Sequence, residues 1–253
     1  MIGIFDSGLG GLSAYCELRL RRPDLDILYY ADTAHIPYGT RPPSAVLAYA
    51  HDSLSQMVEL GARAILVACG TVSSVALPLL QKELPVPLYG VIAPTARLAY
   101  YVSRNKEIGI LATAATITSK AFEGSLKTCG RVSTYAVACP LMVSLVEEGI
   151  LSPTDPLARM VVKRYLTPLF NAPIDTLILG CTHFSHLAPH ISALLPRVTL
   201  IGAGEAAAAD LTTSCPQVGR GNTRFYVTHR PRAFQRAAEG ILGMPLPCSV
   251  QQI

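Results

Sequence analysis

At 253 residues the chain is long enough for one large domain or for two small α/β lobes, each with its own core. Half of the residues are hydrophobic and only 15% are charged, which excludes a disordered or tail-like protein. The net charge of +4 carries no basic block. The densest cluster, Arg19-Leu20-Arg21-Arg22, reads as a helix end, so nucleic acid is not an expected partner.

Strand-like sequence begins at Ile2 with no basic region before it, so no secretory signal is expected. No apolar run approaches the roughly 20 residues that span a bilayer, and no membrane partner is expected. Seven cysteines, at 16, 69, 129, 139, 181, 215 and 248, form an odd set without a CxxC pair. Reduced thiols in the cytoplasm fit that set better than a disulfide framework.

Apolar strand-like runs alternate with amphipathic stretches of helical length, the pattern of parallel sheets with crossover helices. In chain order the expected strands are Met1–Phe5, Ile27–Ala31, Ala64–Cys69 and Pro87–Ile92. A second set follows at Glu107–Ala112, Val132–Val137, Asp175–Cys181 and Val198–Gly202. Corresponding strands start 106, 105, 111 and 111 residues apart, a nearly constant offset. Ile2-Gly3-Ile4-Phe5 matches Ile108-Gly109-Ile110-Leu111 in that register, so the chain reads as a duplicated unit. The expected fold is therefore α/β, with two pseudosymmetric lobes, each a parallel sheet flanked by helices, and an active site in the cleft between them. Residues 94–204 form the second lobe. Residues 1–93 form the first, joined by a returning segment, 205–253, that carries a strand at Arg224–Val227 and a helix from Pro231 to about Leu242.

Ligands of open α/β sheets bind beyond the carboxyl ends of the strands, which selects the residues just after each run. Cys69 and Cys181 occupy equivalent ends, 112 residues apart, each before a helix and close to a threonine. A thiolate accepts a proton and a thiol donates one, so a matched pair facing one carbon could invert it. Helix N-termini and neighbouring polar hydrogens are expected to lower such thiol pKa values. A buried core thiol is the bland alternative for either cysteine alone. Asp6-Ser7-Gly8-Leu9-Gly10-Gly11 is a strand-to-helix turn whose free N–H groups could seat a carboxylate or phosphate, though its glycine spacing is not the dinucleotide fingerprint.

His183 stands two residues after Cys181 and could exchange a proton there. His186 and His190 would then face one side of a helix, read as a solvated face, and no metal is assigned. Pro37-Tyr38-Gly39-Thr40 is a loop with a polar aromatic tip, either a plain turn or a substrate contact. Glu147 and Glu148 end an apolar helical pattern and could be surface or could support a histidine. The five lysines include none just beyond a strand, which disfavours a pyridoxal enzyme, and no cofactor is expected.

Taken in order, Ile4-Phe5-Asp6-Ser7-Gly8-Leu9-Gly10-Gly11-Leu12, Asp32-Thr33, Pro37-Tyr38-Gly39, Ala68-Cys69 with Thr71, Ala112-Thr113 with Thr116 and Ser119, Cys139-Pro140 with Glu147, and Leu179-Gly180-Cys181-Thr182-His183 form a specific combination. The chain thereby resembles the glutamate racemases of the cofactor-independent aspartate/glutamate racemase superfamily. The resemblance implies interconversion of L- and D-glutamate for peptidoglycan, with one thiol on each side of the substrate Cα. It implies catalytic roles for Cys69 and Cys181, assisted by Asp6 on the first side and by His183 with Glu147 on the second. A substrate pocket of Asp6, Ser7, Tyr38, Gly39, Gly70, Thr71, Thr116, Thr182 and His183 is implied as well, and so is a homodimer.

Three positions depart from the family pattern. Gly70 stands where asparagine is usual, losing an amide whose hydrogen bond is worth on the order of 0.5–1.5 kcal/mol. Ser185-His186 replaces Pro-Leu, and Gly202-Ala203-Gly204-Glu205 is looser than the usual acidic stretch. The alternatives left open are the same chemistry on another amino acid, such as aspartate, and a non-catalytic amino-acid-binding regulator.

Overall fold

The structure, a computed structural model, describes residues 1–214 and 219–253; Cys215 lies outside them. Its strands are β1 (Ile2–Asp6), β2 (Ile27–Ala31), β3 (Ala64–Val67), β4 (Leu88–Gly90), β5 (Glu107–Ala112), β6 (Ser133–Ala138), β7 (Thr176–Leu179), β8 (Thr199–Gly202), β9 (Thr223–Val227) and β10 (Val250–Gln252). Among the described residues they form two sheets, β10-β9-β2-β1-β3-β4 and β6-β5-β7-β8, in which every pairing is parallel. The order β2-β1-β3-β4 recurs as β6-β5-β7-β8, so the repeat read from strand spacing is also a repeat of topology.

Strands covered by helices on both faces carry continuous apolar runs rather than alternation. β1, β2, β3 and β7 are buried at every position. β6 lies at a sheet edge and is half-exposed along its length. The two cysteine-bearing strands end earlier than expected, at Val67 and Leu179 rather than at the cysteines. The chain must leave the sheet to start a helix, so each cysteine falls just beyond the last ladder pairing. The three-residue β10 has no counterpart among the expected strands; it pairs only with β9, and its last two residues are exposed.

Between the sheets runs one apolar core, reaching from Ile4 and Leu66 through Ala96 and Phe122 to Ile110 and Ile178. Helices Leu12–Arg21, Ile92–Val102, Ala121–Cys129 and Ala203–Ser214 build it, and the last packs directly on the first. Each sheet has a second core on its other face. Val46, Ala50, Leu54 and Met57 of helix Pro43–Glu59 cover the first, and Ala158, Val162 and Leu166 of helix Pro156–Leu166 cover the second. β9 adds beside β2, and the Arg19 guanidinium donates to Leu25 O at 2.9 Å and Thr223 Oγ1 at 2.8 Å. Both cysteine-bearing strand ends then open toward one cleft. Among the described residues no helix is long and apolar enough to cross a membrane, and Cys16, Cys69, Cys129, Cys139, Cys181 and Cys248 are all free thiols.

Candidate active site

Cys69 immediately precedes helix Gly70–Val75, and Cys181 precedes a 3-10 helix, Thr182–Leu187. Both are 6% exposed, and both line a single cavity of about 190 Å³ between the lobes. Ser7, Tyr38, Gly39, Gly70, Thr71, Thr182 and His183 of the expected pocket line it too. Asp6, Thr116 and Glu147 do not. Each of those three lies one layer behind the wall, bonded to a group that lines the cavity or leads to one.

On the Cys181 side the groups form a relay. The sulfur stands 3.6 Å from His183 Nδ1, and His183 Nε2 stands 2.5 Å from Glu147 Oε1. Glu147 also accepts the Leu9 N–H at 3.0 Å, so the glycine-rich turn does seat a carboxylate, and the carboxylate is the protein's own. Burial disfavours the His183 imidazolium, but the Cys181 sulfur and the Glu147 carboxylate outweigh it and raise its pKa well above the ordinary value. Glu147 moves the opposite way: burial would raise it, and the bond and charge of His183 bring it down. The glycines of the turn make this contact possible. A Cβ at Gly8 would stand 2.2 Å from Glu147 Oε1, and one at Gly10 would stand 2.4 Å from His183 Nδ1.

On the Cys69 side the neighbours are a hydroxyl and an acid. The Cys69 thiol donates to Ser7 Oγ over 3.9 Å. Asp6, wholly buried, accepts from the Gly8 N–H at 2.9 Å and from the Thr182 hydroxyl at 3.0 Å, which ties the two lobes together. Burial pushes the Asp6 carboxyl up, against the pull of His183 and of those two donors. The expected lowering of the Cys69 pKa does not hold. Burial, then the Asp6 charge, push it up to about 12, and the Val72 N–H of the short helix recovers only part. Cys69 therefore rests as a thiol.

A chain of hydroxyls runs from the cavity wall inward. Thr71 Oγ1 lies 2.9 Å from Thr113 Oγ1, which lies 3.0 Å from Thr116 Oγ1. Thr113 is the centre of this chain, lines the cavity and caps helix Ala114–Ser119 by accepting the Thr116 N–H. Position alone marks it, as the threonine just beyond β5. The Tyr38 hydroxyl, by contrast, donates to Asp32 at 2.5 Å, and Asp32 is held in turn by Thr228 at 2.8 Å. Asp32 thus fixes the ring that forms part of the wall.

Comparison with known proteins bears on this geometry. The family model described as Asp/Glu/hydantoin racemase matches residues 13–211. A glutamate racemase of Gloeobacter violaceus is 41% identical over 244 residues, covering 94% of this chain and 91% of that protein. The chain belongs to the Asp/Glu/hydantoin racemase family. Solved structures agree: a Bacillus anthracis glutamate racemase isoform superposes with a TM-score of 0.93 at 32% identity, covering 100% of this chain and 97% of that one. A Francisella tularensis glutamate racemase in complex with D-glutamate superposes at 0.90 and 30% identity, covering 100% of this chain and 96% of that one.

Two of the departures from the racemase family pattern fall together in space. The Ser185 hydroxyl donates to Glu205 Oε2 at 3.0 Å, so the serine that replaces proline is tied to the acid that remains in the loosened stretch. Burial raises the pKa of Glu205. The reading of His186 and His190 as a solvated face is corrected. His190 is 3% exposed and His186 half-buried, because the chain there is a 3-10 turn joining a short helix rather than one continuous helix. Burial, then the charge of His183, lower His186 to about 4, so His186 is uncharged at neutral pH. Cys139, a third strand-end thiol, is buried and directs its S–H to Val137 O at 3.4 Å rather than to the cavity.

Proposed function

We infer that this protein is a glutamate racemase, interconverting L- and D-glutamate and supplying D-glutamate for peptidoglycan. The observation that carries the reading is the pair of buried thiols on one cavity, each backed by its own carboxylate. Among the described residues no lysine or arginine lines that cavity. The substrate's carboxylates are instead held by hydroxyls of Ser7, Thr71, Thr113 and Thr182, and by N–H groups at the starts of the two helices that follow the cysteines.

The reaction needs a base on one face of Cα and an acid on the other. Cys69, resting as a thiol, is the donor on its face. The Cys181 face supplies the base, its sulfur standing 3.6 Å from His183 Nδ1, within reach for proton exchange. The Cα–H proton passes to the Cys181 sulfur, the electron pair stays on Cα, and the Cys69 S–H proton is delivered from the opposite side. Microscopic reversibility exchanges these roles for the other enantiomer. Asp6 sets the basicity of Cys69, and Glu147 fixes the charge and orientation of His183. Residues 1–93 with 205–253 and residues 94–204 act as the two closing units. The enzyme works in the cytoplasm, in keeping with its free thiols. It works as a homodimer in which Leu98, Tyr101 and Val102, exposed on helix Ile92–Val102, are covered.

Following the circular dichroism of L-glutamate and L-aspartate solutions tests the reading. Decay of the glutamate signal to zero is expected. Decay of the aspartate signal alone would reassign the substrate, and an unchanged signal in both would remove the racemase reading.

A further inference from the structure

Tyr29 sits in the middle of β2, wholly buried, with its ring among aromatic neighbours. Tyr15 meets it edge-on at 6.4 Å between ring centres, and Phe225 and Phe234 of the returning segment stand at 5.4 Å and 6.0 Å. The ring so held aims its hydroxyl at the glycine-rich turn after β1, where it donates to Gly8 O at 2.8 Å. Gly11 leaves room for that approach, since a Cβ there would stand 2.8 Å from the Tyr29 hydroxyl oxygen. Burial, then the charges of Asp6 and Glu147, raise the Tyr29 pKa well above its ordinary value, so the hydroxyl keeps the proton it donates.

The carbonyl that Tyr29 holds belongs to the same peptide unit as the Leu9 N–H, which donates to Glu147 Oε1 at 3.0 Å. A peptide unit is planar, so its C=O and its N–H turn together. Glycine at position 8 leaves that plane unusually free to rotate, and the Tyr29 hydroxyl restrains it. From Glu147 the line of contacts runs on through His183 to the Cys181 sulfur.

We propose that Tyr29 is a positioning residue for the reaction: by holding the Gly8 carbonyl it fixes the peptide plane whose N–H bonds Glu147, and so keeps that carboxylate seated on His183. The proposal rests on the racemase reading of the cleft. It gives the first sheet, through a residue that does not line the cavity, a part in the chemistry of the Cys181 side.

Tyr29→Phe keeps the ring and removes only the hydroxyl. It is expected to lower kcat for glutamate by roughly 3- to 10-fold with KM changed by less than about threefold, as for a group that matters most when charge moves. Glu147 is faced by His183 and His186, by the Leu9 N–H and, across the turn, by Asp6. Of these only the Leu9 N–H depends directly on Tyr29. That donor lowers the Glu147 pKa, so loosening it should move the acid limb of kcat/KM to higher pH, by about half a pH unit or more. Because the effect runs through Glu147, adding Tyr29→Phe to Glu147→Gln should cost about twofold or less.

Tyr30→Phe is the control. Tyr30 is the next residue of the same strand and lies in the core on the sheet's other face, where its hydroxyl donates to Gln56 Oε1 at 2.7 Å. It should lower the thermal midpoint without moving the acid limb. Wild-type kcat in Tyr29→Phe would overturn the proposal. So would a lowered midpoint with an unmoved acid limb, the same limb shift in Tyr30→Phe, or an undiminished loss in the Glu147→Gln background. Failure of Tyr29→Phe to fold would contradict it as well, since every ring contact is kept and the loss is confined to the turn. A wild-type protein that does not racemise glutamate would instead remove the racemase reading itself, a distinguishable failure.

Discussion

His183 stands between a sulfur and a carboxylate, and its raised pKa depends on both. Replacing Glu147 with Gln keeps the shape and removes the charge, so the imidazolium loses one of its two supports. We expect kcat to fall by about 10- to 100-fold with KM little changed, as for an interaction that matters most when charge moves. Steady-state kinetics in both directions checks this, and an unchanged kcat would assign Glu147 a structural role. Cys69→Ser and Cys181→Ser should each lower racemisation by at least about 10²-fold, because a hydroxyl is too weak an acid and base for either face. The identities of these residues were legible in the sequence because strand ends and the motifs around them pick them out. The direction of the Cys69 shift was not. It follows from how deeply Asp6 and the thiol are buried, which only the packed fold determines.

At the scale of elements, the strands were easiest to read where helices cover both faces, as in β1 and β2. The hidden features are those decided by tertiary contact. The segment after Cys181 is a 3-10 turn, which swings His186 and His190 inward rather than onto a solvated face. Thr113 is a second case: in the sequence only one residue of the Ala112-Thr113 motif, it becomes the hub between Thr71 and Thr116 once the lobes meet. Thr113→Val removes both the cap and the hub. Loss of such a cap costs about 0.5–2 kcal/mol, so a lowered thermal midpoint is expected. KM should rise at the same time, because Thr71 loses its partner at the cavity wall. A lowered midpoint with unchanged KM would confine Thr113 to capping.

For the whole molecule, the lobes are joined by polar contacts as well as by the shared core. Leu9 to Glu147 and Thr182 to Asp6 both cross the cleft, and the Glu147–His183 pair lies behind it. These contacts make stability depend on pH. His183 has a folded pKa above its unfolded value, so its contribution is complete below about 6.5 and is lost as pH rises through the raised value. Glu147 has a folded pKa below its unfolded value, so its contribution is present above about 4.5 and is lost as pH falls through the lowered value. The pair therefore contributes most between those two limits. Thermal melts of wild type and His183→Asn should differ most near pH 5–6 and converge below that window and far above it. A difference that does not vary with pH would show that the pair is not ionised.

The central claim is that two thiols, one per lobe, act on opposite faces of a single carbon. It is tested most directly by following L-glutamate with the wild-type protein in deuterated water at early times. The account predicts that D-glutamate forms carrying one α-deuterium while the remaining L-glutamate stays unlabelled. Equal label in both enantiomers from the start would mean one base serving both faces, and no label in either would mean no proton chemistry at Cα.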